Sequence, residues 1–169
     1  LDHPVIVQFA ANTPDMFTCC AKIVEFKCEG VDLNLGCPQN IARKGHYGCF
    51  LHDEWQLIHD MIRQASSNLS IPVSAKIRIF DSIQKSVDYA RMLENSGCSM
   101  LAVHGRTRNQ KGQNTGLADW EIIKIIKQTL SIPVISNGNI LYHSDIQRCI
   151  DYTGADGVMV AGFINILNV

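Results

Sequence analysis

Leu69-Ser70-Ile71-Pro72-Val73 returns further along the chain as Leu130-Ser131-Ile132-Pro133-Val134, and each copy closes a helical pattern and opens an apolar strand. Working outward from the two copies, short apolar runs occupy residues 5–10, 31–35, 73–78, 100–104, 134–137 and 157–160. Between them Ile83, Val87, Ala90 and Leu93 recur at helical spacing, and Asp119 stands where it can cap a helix whose Trp120, Ile123 and Ile126 form one apolar stripe. Gly30, Gly97 and Gly154 lie between helix and strand, where the left-handed conformation ends a helix. Strands separated by helices pair in parallel, because a tight hairpin cannot join parallel neighbours. Equivalent units repeated about one axis point to a (β/α)8 barrel, with a doubly wound open sheet as the alternative.

A complete eight-unit barrel takes roughly 250 residues, so the 169 residues here are expected to form an incomplete α/β TIM barrel of about six βα units. No linker or low-complexity stretch divides them, and residues 1–169 are read as one partial domain. With 46% hydrophobic and 18% charged residues the composition is that of a packed globular domain and not of a disordered segment. No apolar run is long enough for a membrane span, and Leu1-Asp2-His3-Pro4 lacks the basic start of a signal peptide. No membrane association is therefore expected. The 7 cysteines contain no C-x-x-C pair, which argues against structural zinc and against a disulfide framework, so no metal is expected. A reducing compartment follows, the cytoplasm first and the nucleus as the alternative. Net charge of −1 gives no support for a polyanionic partner. Locally, however, residues 37–49 carry Arg43 and Lys44 without an acid, and residues 104–116 carry Arg106, Arg108 and Lys111 without one. Solvated loops account for such clusters as readily as a binding face does.

Strand parity directs polar groups inward, since the helix-facing side of a barrel strand must be apolar. Val5, Val7 and Phe9 face outward and leave Gln8 inside; Val31, Leu33 and Leu35 leave Asp32 and Asn34; Val73, Ala75 and Ile77 leave Ser74, Lys76 and Arg78; His104 shares the parity of Ala102. Singly, Gln8 or Asn34 reads as a hydrogen-bonded core amide, His104 as a structural histidine, and Lys76 and Arg78 as partners of Asp32. Together they converge at the C-terminal strand ends, where barrels hold ligands. An isolated buried cation costs several kcal/mol, and a bound anionic group would offset that cost.

Five stretches in order carry a resemblance: Asp32-Leu33-Asn34-Leu35-Gly36-Cys37-Pro38, His46-Tyr47-Gly48, Lys76-Ile77-Arg78, Val103-His104-Gly105-Arg106-Thr107, and Asn137-Gly138-Asn139-Ile140. From about Pro4 to Val160 the chain resembles the tRNA-dihydrouridine synthase family, and Cys37-Pro38-Gln39 with Asn137-Gly138-Asn139 is most similar to the eukaryotic branch acting on D-loop positions 16 and 17. The resemblance implies an FMN-dependent oxidoreductase that takes its electrons from NADPH, transfers hydride from flavin N5 to uracil C6, and protonates C5 from Cys37. It implies Gln8, Lys76, His104, Asn137, Gly138 and Asn139 as cofactor residues and Asn34, Arg78 and Arg106 as substrate residues, with tRNA as partner. A free thiol of pKa about 8.5 stays mostly protonated at neutral pH and suits the acid, although an isolated cysteine is more often inert packing. The first two strands and a C-terminal helical domain of the family are expected to be absent. After Ala161 the sequence Gly162-Phe163-Ile164-Asn165 departs from the family pattern, which puts the second phosphate arm in doubt. By itself the segment is expected to be inactive. The alternatives are another FMN barrel oxidoreductase, of the dihydroorotate dehydrogenase kind, and a non-catalytic remnant of the family.

Overall fold

Each of the first five apolar runs is followed by a helix, so successive strands are joined by crossovers and pair in parallel. The computed structural model describes residues 3–161. In chain order these form β1 (Ile6–Phe9), α1 (Pro14–Val24), β2 (Gly30–Asn34), α2 (Asn40–Gly45), α3 (Trp55–Asn68), β3 (Val73–Arg78), α4 (Ile83–Asn95), β4 (Met100–His104), α5 (Trp120–Thr129), β5 (Val134–Asn137), α6 (His143–Thr153) and β6 (Gly157–Met159), with 3-10 turns at Gly48–Leu51 and Gly112–Asn114.

Strand order decides between the two architectures left open above. A doubly wound sheet reverses its order and carries helices on both faces, whereas here the order is β1-β2-β3-β4-β5-β6. Right-handed crossovers that always step the same way lay every helix on one face. Accordingly α1 packs on α3, α3 on α4, α4 on α5 and α5 on α6. The result is an arc of a (β/α)8 barrel.

The repeated Leu-Ser-Ile-Pro-Val segments do equivalent work. In each, the leucine amide closes the helix, Leu69 on Ala65 and Leu130 on Ile126. The serine amide is held by a glutamate from an earlier helix end, Glu25 for Ser70 and Glu94 for Ser131. The proline carbonyl accepts from the preceding strand, Pro72 from Val31 at 3.0 Å and Pro133 from Leu101 at 2.9 Å. Helix starts follow the capping residues: Thr13 accepts from the Met16 amide, Ser82 from Lys85 and Asp119 from Ile122. Gly154 ends α6 in the left-handed conformation at φ 68°. Gly30 does not share it; it opens β2, and a Cβ there would lie 3.2 Å from the Pro72 carbonyl, so close approach is what favours glycine. Two stripe assignments also shift. Ile83 is exposed and Tyr89 joins Val87, Ala90 and Leu93 inside, while Ile122 takes the buried place expected of the half-buried Trp120.

Between sheet and helices lies the apolar core, including Phe17, Leu33, Ile62, Ile77 and Leu101. A titratable ring sits within it: His52 packs at tilted angles against Phe80 and Tyr89, with Trp55 beside Tyr89, and its Nε2 donates to the Leu35 carbonyl at 2.9 Å. Burial pushes its pKa down to about 4 from 6.5. Because the folded pKa is the depressed one, the unfolded chain binds the proton first. Stability is therefore full above about 6.5 and is lost as pH falls toward 4, by up to about 3 kcal/mol. His52→Gln keeps an amide donor for Leu35 but does not titrate. Urea unfolding between pH 7 and 4 should show a shallower pH slope in that variant; an unchanged slope would place the acid sensitivity elsewhere.

Candidate active site

Alternation puts Gln8, Asp32, Ser74 and Met100 in one layer of the inner face, Asn34, Lys76, Ala102, Ile135 and Gly157 in the next, and Arg78, His104, Asn137 and Met159 in the layer at the C-terminal strand ends. Lys76 thus stands mid-sheet between Asn34 and Ala102. Among the described residues it makes no hydrogen bond and no ion pair. Burial first, and then the Arg78 guanidinium, hold its pKa below the usual lysine value. Asp32 does not neutralise it. That carboxylate accepts from Gln8 Nε2 at 2.8 Å and from Ser74 Oγ at 2.6 Å, and burial raises its pKa. Nor does Arg78 turn to Asp32. Its Nε donates to the Gly36 carbonyl at 2.9 Å, and its Nη1 to the carbonyls of Thr107 at 2.9 Å and Gln110 at 3.1 Å. The pairing with Asp32 envisaged for both cations is therefore absent, and among the described residues the two interior cations lack an ion-paired carboxylate.

Beyond β2 the chain turns at Gly36 and presents Cys37, a half-buried free thiol. Asn34 Oδ1 accepts from the Gly36 and Cys37 amides at 3.1 and 3.0 Å, while its Nδ2 donates to Gln8 Oε1 at 2.9 Å. The Cys37 carbonyl accepts from Cys49 N at 3.2 Å. Lys111 Nζ reaches across to the Pro38 carbonyl at 2.8 Å. Of the other thiols Cys28, Cys49, Cys98 and Cys149 are buried, and Cys19 and Cys20 lie on α1, away from the strand ends. Gly48 explains part of the His-Tyr-Gly motif: it is left-handed at φ +66°, and a Cβ there would lie 2.8 Å from the Cys37 carbonyl. Gly48→Ala is expected to cost about 1–2 kcal/mol from the backbone conformation alone and to displace Cys37. A lower melting temperature together with altered alkylation of Cys37 is the expected result; a normal melt with unchanged thiol reactivity would contradict it.

At the far side His104 Nε2 lies 3.0 Å from Arg106 Nη1. A guanidinium only donates, so Nε2 carries the lone pair and the ring proton sits on Nδ1. Burial, with Arg78, Lys76 and Arg106 nearby, pushes the His104 pKa down to about 3, and the ring is neutral at physiological pH. Arg106 also donates to the Gly116 carbonyl at 3.0 Å and to Asn139 Oδ1 at 2.8 Å. Asn139 in turn bonds both the amide and the carbonyl of Ala118. Asn137 Nδ2 is spent on the Met159 carbonyl at 2.7 Å, and Trp120 holds the Gly138 carbonyl at 3.1 Å. Gly138 has φ +108°, and a Cβ there would meet Ala118 at 2.7 Å and His104 at 3.0 Å. Asn137, Gly138 and Asn139 line the adjoining cleft of about 360 Å3 together with His104, Arg106 and Met159. The expected second arm, from Gly162 onward, lies outside the described residues.

Of the ten residues singled out from the sequence, Arg78, His104 and Asn137 with the loop residues Cys37, Arg106, Gly138 and Asn139 lie at the C-terminal strand ends, Asn34 and Lys76 one layer below and Gln8 two, with Gln8, Asn34 and the Cys37 backbone in one hydrogen-bonded chain. The basic rim divides. Arg108 shares Asp53 with Lys85, each at 3.2 Å, Lys111 holds the Pro38 carbonyl and Arg106 bonds neutral groups, so Arg43 and Lys44 are the rim cations with neither an ion pair nor a side-chain hydrogen bond among the described residues. Sequence reasoning did not foresee Arg78 as a backbone clasp or the reach of Lys111 to Pro38, because neither leaves a trace in local pattern.

The family profile for dihydrouridine synthase matches residues 1–163. The Saccharomyces cerevisiae protein named tRNA-dihydrouridine(16/17) synthase, NAD(P)(+), is 55% identical over 95% of this chain and 38% of its own length. The Schizosaccharomyces pombe protein of the same name is 52% identical over 95% of this chain and 41% of its own. The chain therefore spans about two-fifths of the length of these relatives. Among solved structures, a mandelate racemase/muconate lactonizing family protein from Azoarcus sp. EbN1 superposes with a TM-score of 0.65 at 15% identity, over 92% of this chain and 36% of that one, a likeness of fold alone. The profile covers nearly the whole sequence and the relatives exceed half identity, so this chain belongs to the dihydrouridine synthase family, on the side of its 16/17 branch.

Proposed function

We propose that this chain is the catalytic core of an FMN-dependent tRNA-dihydrouridine synthase that reduces the uracil C5–C6 double bond of D-loop uridines 16 and 17, with NADPH as electron donor and the cytoplasm as its place of work. One observation carries the reading: two interior cations with no ion pair among the described residues, Lys76 and Arg78, flank a free thiol near the C-terminal strand ends. The residues present suit a flavin. Lys76 offers a desolvated positive charge for the ring edge that becomes anionic on reduction, and the Gly138 turn lines the cleft, where its backbone amides suit a phosphate. When bound in reduced form, FMN supplies the hydride to uracil C6.

The chain's own groups do the rest. Cys37 holds a proton on Sγ and releases it to C5, leaving a thiolate that water reprotonates. Neutral His104 offers an Nδ1–H donor without adding charge. Arg78 has donors left on Nη2 for a carbonyl oxygen of the substrate, and Arg106 steadies the His104 and Asn139 side. Arg43 and Lys44, exposed on α2 beside the mouth, supply charge for RNA phosphates, so the grip on RNA is local and not a property of net charge. To test this, the full-length protein is produced in cells that lack dihydrouridine at positions 16 and 17, and their tRNA is mapped. Dihydrouridine at those positions, formed by a yellow protein, is the expected result; unmodified tRNA despite folded, flavin-loaded protein would overturn the proposal.

A further inference from the structure

Asp32 is a buried carboxylate that the chemistry above does not use. It stands one layer below Lys76 and starts a hydrogen-bonded chain that ends at the thiol-bearing loop: Asp32 accepts from Gln8 Nε2 at 2.8 Å, Gln8 Oε1 accepts from Asn34 Nδ2 at 2.9 Å, and Asn34 Oδ1 accepts from the Gly36 and Cys37 amides at 3.1 and 3.0 Å. A carboxamide has a donor end and an acceptor end, so each amide in such a chain can stand in only one sense once its neighbour is fixed. Backbone amides at one end only donate. An ionised carboxylate at the other end only accepts. Both ends therefore demand the same sense, and turning Gln8 over would set like groups against each other at both of its contacts.

We propose that Asp32 is a positioning residue that fixes the orientation of Gln8 and, through Gln8, turns the carbonyl oxygen of Asn34 onto the Gly36 and Cys37 amides, so that the Cys37 loop is held from the floor of the barrel. The inference rests on Cys37 acting as proton donor only for its importance to turnover; the positioning itself stands apart from catalysis and is read without it.

Ser74 makes the test specific. Its hydroxyl lies 2.6 Å from Asp32 Oδ1 and 3.3 Å from the Val31 carbonyl, and it both donates and accepts. In Asp32→Asn, the new amide can turn its NH2 onto Ser74 Oγ and keep its oxygen toward Gln8, so the sense of the chain survives. In Ser74→Ala, a carboxylate remains and the sense also survives, although the fold loses a buried hydrogen bond. In the double variant neither Ser74 nor a carboxylate fixes the floor end, only the Gly36 and Cys37 amides still demand that sense, and the loop loses its anchor from below.

Backbone hydrogen exchange at Gly36 and Cys37 in the full-length protein reads this directly. Each single variant should exchange within about threefold of the parent, and the double variant faster by about tenfold or more, well beyond the product of the singles. Exchange in the folded double variant that equals the product of the singles, or that matches the parent, would overturn the proposal. Should the double variant fail to fold, Gln8→Met decides, since it cuts the chain at half-buried β1. About tenfold faster exchange at Cys37 supports Asp32 acting through Gln8, and unchanged exchange refutes it. Failure of the functional reading looks different: Cys37→Ala would remain active while these exchange rates still followed the expected pattern.

Discussion

Cys37→Ala in the full-length protein is expected to retain bound flavin and to form dihydrouridine about 100- to 10,000-fold more slowly, the range by which a positioned general acid accelerates a proton transfer. The flavin contacts attributed to Gln8, Lys76, His104 and the Gly138 turn do not involve the thiol. The loop is also tethered by groups the substitution leaves alone: the Cys37 amide to Asn34, the Cys37 carbonyl to Cys49, and the neighbouring carbonyls to Arg78 and Lys111. Loss of turnover with intact colour and an intact melt is therefore the specific signature of a missing proton. Transient kinetics sharpen it, because reduction of the flavin by NADPH should proceed at the parental rate and only its reoxidation by tRNA should slow. Rapid reoxidation by tRNA in the variant would remove Cys37 from the chemistry.

Lys76→Met should separate binding from folding in the opposite way. The lysine sits in the interior with no ion pair or hydrogen bond among the described residues, and burial already depresses its pKa. Replacing such a cation by an apolar side chain of similar length removes a desolvation cost, so the flavin-free protein is expected to gain about 1 kcal/mol or more. Flavin affinity or the rate of flavin reduction is expected to fall about 100-fold, the size of effect seen when one preorganised group facing developing charge is lost. Arg78 compensates little, because its Nε and Nη1 are committed to backbone carbonyls. A variant that melts lower than the parent yet binds and reduces flavin normally would make Lys76 a structural group.

How far the site could be read from the sequence depends on the kind of contact. Side chains that alternate along a strand obey a two-residue period, and that period alone places Gln8, Asp32, Asn34, Lys76, Arg78 and His104 on one face. Register then stacks them, and nothing in the sequence states register. Asn34 lies opposite Lys76, and Arg78 opposite His104, because of where the helices let each strand begin. The loops were the least readable. Arg78 was expected to meet an anion and instead spends two of its nitrogens on carbonyls of separate loops, a contact set by backbone geometry. The Asn-Gly-Asn turn was read for its backbone amides, and local pattern says nothing of its side chains, of which Asn137 Nδ2 holds β6 and Asn139 holds Ala118. Gly30 shows the same lesson on a smaller scale: the residue type was informative, but the reason was the Pro72 carbonyl and not the sign of φ.

The sheet is assembled in the order in which the chain is made, each strand docking on the one before it. A ribosome releasing this protein therefore never has to wait for a distant strand before the previous one has a partner. The Lys111 clasp on Pro38 is different, because it spans 73 residues. At about 5–20 residues per second, those 73 residues take roughly 4 to 15 s to synthesise. For that interval the Cys37 loop has only its bonds to Asn34, Cys49 and Arg78 within reach, and the Lys111 clasp is the last of its tethers to be synthesised.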